Sequence, residues 1–146
     1  MTSMYSKCIN LKEMPEIPET VYAMDNAFAG DISLTKLSTI PVGVTTIDSC
    51  FSDCKKIEGN ITINATPSSY NSCFNNAAVA TKVNIVGQCK NAVLIATTAT
   101  NNNILVNGKF PQLVIIKNVA PLLFFSGAVF ILRKASFTAK RIRFFL

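Results

Sequence analysis

The amino-acid sequence predicts an α/β repeat fold: a stacked solenoid of 23-residue units with short strands, followed by an atypical C-terminal unit. Three observations predict it. Tyr5, Phe28, Phe51 and Phe74 recur at intervals of 23 residues, five of the 23 phases are apolar in all three copies, and the repeat character changes after Phe74. With 49% hydrophobic and 15% charged residues over 146 positions, the chain can bury one domain core and is too weakly charged for general disorder.

The repeats run over 5–27, 28–50 and 51–73, so that the solenoid occupies 1–74. In this register Leu11, Leu34 and Ile57 fall together, as do Ile17, Ile40 and Ile63, and Met24, Ile47 and Tyr70. A single copy cannot bury its apolar face, whereas stacking turns each apolar phase into an inner column. Leu11–Ile17, Leu34–Ile40 and Ile57–Ile63 are candidate strands, the first two stopped by Pro18 and Pro41. Asp25, Asp48 and Asn71 precede a small-aromatic pair in each copy and are expected to cap a short helical turn. Only one acidic phase repeats, too few converging oxygens for a metal column, and no metal site is expected. Cys50 with Cys73, and Cys8 with Cys54, share phases and are expected as small buried hydrophobes, with disulfide pairing as the alternative.

At this point the chain resembles the BspA-like leucine-rich repeat family. The resemblance is carried by Cys8, Leu11, Met14, Ile17-Pro18, Val21, Met24 and Ala27-Phe28, by the second copy through Leu34, Ile40-Pro41, Val44, Ile47 and Cys50-Phe51, and by the degenerate block from Ile57 to Phe74. It covers roughly residues 5–89. It implies a leucine-rich-repeat-type solenoid at the cell surface that binds a protein, extracellular matrix or host surface partner, and it transfers no catalytic residue. The strand face would present Lys12, Glu13, Glu16, Thr35, Lys36, Thr39, Glu58 and Thr62 to that partner. The alternative is a structural spacer or virion-associated component without a specific ligand.

Residues 75–109 are expected to form a terminal capping unit. Lys82–Val86 reads as a strand, Gln88–Ala99 as a helix and Ile104–Val106 as a strand before the Asn107-Gly108 turn. The 23-residue period is expected to fade here.

From Phe110 the sequence becomes apolar and basic. Leu113 to Leu132 holds an uncharged run of 14 residues, Val119–Leu132, followed by Arg133, Lys134, Lys140, Arg141 and Arg143. Three readings stay open for 110–146: a helical membrane anchor with a basic flank, an apolar segment packed on the end of the repeats, or a non-native tail from an altered reading frame.

Composition excludes several chemistries. Histidine is absent, which removes the usual general base near neutral pH and the commonest metal ligand. None of the six glycines forms a phosphate-binding loop, so neither an enzyme nor a cofactor is expected. The net charge of +6 is divided: up to Glu58 there are five basic and eight acidic residues, and beyond it nine basic and none acidic. No nucleic-acid fold signature accompanies the basic tail, so nucleic acid is not the expected partner. The opening MTSMYSKC lacks the pattern of a secretory signal, and Asn60-Ile-Thr62 and Asn64-Ala-Thr66 match a glycosylation acceptor that matters only in a eukaryotic secretory chain.

Overall fold

A 23-residue offset dominates the backbone hydrogen bonding. The structure is a computed structural model that describes residues 1–111 and, beyond them, two strands at Leu122–Phe125 and Ala128–Ile131. Its main sheet has four parallel strands, β1 (Thr39–Ile40), β2 (Gly59–Ile63), β3 (Val83–Val86) and β4 (Ile104–Val106), in that spatial order. The single helix among the described residues is α1 (Ala92–Ala96), and the antiparallel pair β5 (Leu122–Phe125) and β6 (Ala128–Ile131) forms a separate two-stranded sheet.

The candidate strands at Leu11–Ile17 and Leu34–Ile40 are reduced to parallel bridges at Glu13 with Lys36 and at Lys36 with Glu58, plus the two residues of β1. Ile57–Ile63 fares better, as β2. One extra residue enters there: Lys36 pairs with Glu58 but Thr39 pairs with Thr62, and the surplus is taken up at Gly59, whose φ is +80°. A second line of bridges, Ala23 to Thr46 to Ser69, was not read from the sequence.

On the aromatic side the chain does something a β-strand does not. The N–H groups of Ser3, Tyr5 and Lys7 donate to the carbonyls of Asp25, Ala27 and Ala29. Those of Asn26, Phe28 and Gly30 donate to Asp48, Cys50 and Ser52, and those of Ser49, Phe51 and Asp53 to Asn71, Cys73 and Asn75. The intervening N–H groups turn back within their own segment, as Ala27 to Met24, Ala29 to Asn26 and Asp31 to Phe28. The bonds of these three phases therefore all point the same way, in three continuous rows of peptide units. Two left-handed positions per segment make the turns possible: Ser3, Asn26, Ser49 and Ser72 in one phase, and Lys7, Gly30, Asp53 and Asn76 in another, with φ between 52° and 78°.

Beneath these rows lies the core. Tyr5, Phe28, Phe51 and Phe74 stack with ring centroids 5.4, 5.7 and 5.4 Å apart, and the three phenylalanines are fully buried. Leu34 with Ile57, Met24 with Ile47, and Ile40 with Ile63 line the same interior. Cys50, Cys54 and Cys73 are buried as expected, but Cys8 is exposed, and all five cysteines are free thiols. The cause is position, since no described segment lies against the outer side of residues 1–11. The phase between Cys8 and Cys54 is occupied by a buried carboxylate, Asp31.

Asp25 and Asp48 do not cap their own turns. Asp25 accepts from the Asp48 N–H and the Thr46 hydroxyl, and Asp48 accepts from the Asn71 N–H and the Ser69 hydroxyl. Each carboxylate reaches the next segment because the local N–H groups are already spent on the tight turns and the peptide rows.

Nor does the repeat end at Phe74. A fourth segment follows at an offset of 24, seen in the pairing of Gly59 with Val83 and of Asn60 with Asn84. Where earlier segments use carbonyls, this one uses side chains: the Phe74 and Asn76 N–H groups donate to the hydroxyls of Thr98 and Thr100, and the Asn101 and Asn103 amides donate to the carbonyls of Ala77 and Ala78. Helix α1 is shorter than Gln88–Ala99. Asn91 spends its side-chain amide on the Pro67 carbonyl and leaves the N-terminus without a side-chain cap, while Thr97 and Thr98 turn their hydroxyls back on Leu94 and Ile95. At Asn107-Gly108 both residues have positive φ, and the Val106 N–H and carbonyl are each bonded to Lys109.

Within Leu113 to Leu132 the described residues are β5 and β6, not a helix, and no described helix is long and apolar enough to cross a membrane. The rest of 110–146, from residue 112 onward, lies outside the described residues.

Candidate recognition face

The eight residues expected on the strand face all lie at its surface. Lys12, Glu13, Glu16, Lys36, Thr39 and Glu58 are exposed, and Thr35 and Thr62 are half-buried. Bridging places Glu13, Lys36 and Glu58 in one row across three segments, alternating in sign. The Lys36 ammonium sits 2.5 Å from the Glu13 carboxylate, with both side chains well exposed. Such a pair adds little stability, and both charged ends remain exposed to solvent. Thr35 donates its hydroxyl to the Lys12 carbonyl, and Thr39 lies in register with Thr62. Glu16 and Thr39 stand farther along, where they line an open surface groove with Ile17, Glu19, Ser38 and Pro41.

Two residues of the face escaped sequence reasoning. The Asn84 amide donates to the Asn60 side-chain oxygen at 3.0 Å, and the Gly108 N–H donates to the Asn84 oxygen at 2.7 Å, which extends the polar row across β2, β3 and the turn after β4. In the sequence Asn60 stands out only as the first residue of a glycosylation triplet. The offset of 24 between the two asparagines hides their pairing from a 23-residue register.

The face offers charges, hydroxyls and amides but no nucleophile paired with a base. The buried thiols lie elsewhere and are poor nucleophiles: burial pushes Cys54 up to about 12, and burial followed by the neighbouring thiols raises Cys50 well above its ordinary value. Among the described residues no group of three or more cysteines and carboxylates is placed to hold a metal ion. The chain matches no family model, no curated protein and no solved structure.

Proposed function

We propose that residues 5–74 are a leucine-rich-repeat-type solenoid, closed by the unit at 75–109, and that its strand face is a recognition surface for a protein partner at a cell surface. The BspA-like resemblance motivates the class of partner. What carries the reading is the row of exposed side chains Glu13, Lys36 and Glu58, held in register by parallel bridges across three segments. A rigid face costs less ordering entropy on binding than a loop, so a modest set of polar contacts suffices for recognition. The chain is read as a binding module and not as an enzyme, since a row of this kind orients a surface but activates no reacting atom.

The test is a binding screen of the full chain against purified extracellular-matrix and cell-surface proteins, with two variants. Lys36→Glu reverses the central charge of the row and is expected to weaken binding about tenfold, in the range of a lost charged interface contact. Lys90→Gln, an exposed change off the sheet, is expected to leave it unaltered. If no protein binds in the micromolar range, or if the two variants behave alike, the sheet face is not the recognition surface.

A further inference from the structure

We propose that the strand face pairs with the same face of a second copy of this chain, about a two-fold axis parallel to the strands and midway between Lys36 and Glu58. The pairing rests on the reading of that face as a recognition surface and names its partner. The charged row extends beyond Glu58. The register of Gly59 with Val83 sets Lys82 beside Glu58, and Lys82 is exposed, its ammonium 6.0 Å from the centre of the Phe110 ring. Glu13, Lys36, Glu58 and Lys82 thus carry negative, positive, negative and positive charge on successive segments. Among the described residues only Lys36 and Glu13 are close enough for an ion pair, which leaves Glu58 and Lys82 without an opposite charge in contact.

The order of the signs decides what fits. Charges that alternate at the strand spacing, about 4.8 Å, largely cancel a short way from the face. A surface of one sign, whether an anionic membrane or an acidic peptide, therefore meets as much repulsion as attraction. A matching row must alternate at the same spacing, and the chain carries such a row itself. Turning it about an axis parallel to the strands reverses the order of the segments and keeps each residue at its height along the strand. Lys36 then faces Glu58 of the second copy, Glu58 faces Lys36, and Glu13 and Lys82 face one another at the two flanks. The same turn sets Thr39 opposite Thr62 of the second copy, two hydroxyls that each donate and accept. Turning about the stacking direction instead sets every charge against its own counterpart, and like charges in contact oppose the pair. One two-fold arrangement is selected, and its contacts are reciprocal, as an isologous interface requires. Because the signs alternate, the match about the midpoint of Lys36 and Glu58 holds however many segments take part.

The face is small. Four segments with about five residues along each cover on the order of 300 Å² per copy, well under the roughly 800 Å² per partner of a stable complex. Self-association is therefore expected at high micromolar concentration and not at low.

The experiment is sedimentation equilibrium of the full chain over that concentration range. The parent chain is expected to self-associate at low ionic strength and to dissociate in about 1 M salt, where charges are screened within about 3 Å. Lys36→Glu and Glu58→Lys each set like charges in contact beside the axis, and each is expected to weaken self-association at least about tenfold. An equimolar mixture of the two variants restores opposite charges at both central contacts and is expected to regain the parental association. A chain that stays monomeric throughout, self-association that both single variants retain, or a mixture no better associated than either variant would each overturn the proposal. A monomeric chain that still binds a screened protein in a Lys36-dependent way overturns this pairing alone and leaves the recognition face standing. A chain that neither self-associates nor binds any screened protein overturns both.

Discussion

Asp31 is the one fully buried charged side chain among the described residues, and it is only half satisfied. One carboxylate oxygen accepts the Cys8 N–H at 2.7 Å, while the other has no partner. Burial outweighs that bond and raises its pKa from 3.8 to about 6. The folded chain then holds a proton that the unfolded chain has already released between these two values, so stability falls as pH rises through the window from 3.8 to about 6. Asp31→Asn keeps an acceptor for Cys8 and removes the ionisation. Urea titrations at pH 4 and pH 7 should show a smaller stability difference in the variant than in the parent chain; an unchanged difference would mean that Asp31 does not titrate in this range. Phe51 is the opposite kind of residue, apolar and enclosed between Phe28 and Phe74. Neither neighbour can collapse into the space it leaves, since each is held by its own segment. Phe51→Ala is expected to cost about 3–5 kcal/mol by denaturant titration.

At the level of elements, the turn between β3 and α1 rests on Gly87. Its φ is +104°, and a Cβ there would lie 2.7 Å from the Ile63 carbonyl oxygen and 3.0 Å from the Asn64 side-chain oxygen. Gly87→Ala is expected to destabilise the chain by about 2 kcal/mol or more through strain and steric overlap, and a midpoint shift in urea would register it. The elements differ in how far the sequence announces them. Ile104–Val106 was legible to the residue, and Val83–Val86 nearly so, because an apolar run bounded by turn residues is a direct signal. The aromatic column and the three aliphatic columns were legible for the same reason. The fourth segment was not, because Thr98, Thr100, Asn101 and Asn103 hold it with hydroxyls and amides, which have no apolar period, and because its offset is 24. The left-handed positions were equally hidden: Ser, Asn, Lys and Asp supply most of them where glycine would have marked a turn. On the candidate face, exposed polar residues between apolar ones were readable, whereas the Asn60–Asn84 contact depended on a register that no single sequence reveals.

At the scale of the molecule, the first and fourth described segments are unlike. The fourth segment is held to the third largely by side-chain hydroxyls and amides, whereas among the described residues the Thr2, Met4 and Ser6 carbonyls of the first accept no hydrogen bond. Charge is also polarised along the chain, with every acidic residue at or before Glu58. The uniform offset has a kinetic meaning. Hydrogen bonds between segments join residues only about 20 to 26 positions apart, and none of those among the described residues ties the first segment to the fourth. Closing a loop of that length costs the chain the same modest entropy at each step, so no distant encounter must precede the rest. Folding can begin in the middle, at the Phe28–Phe51 pair, and spread outward one segment at a time; opening follows the reverse path. Amide hydrogens of Phe28 and Phe51 are then expected to exchange more slowly than those of Ser3 and Lys7, and a single common rate for all four would mean that the stack opens only as one unit.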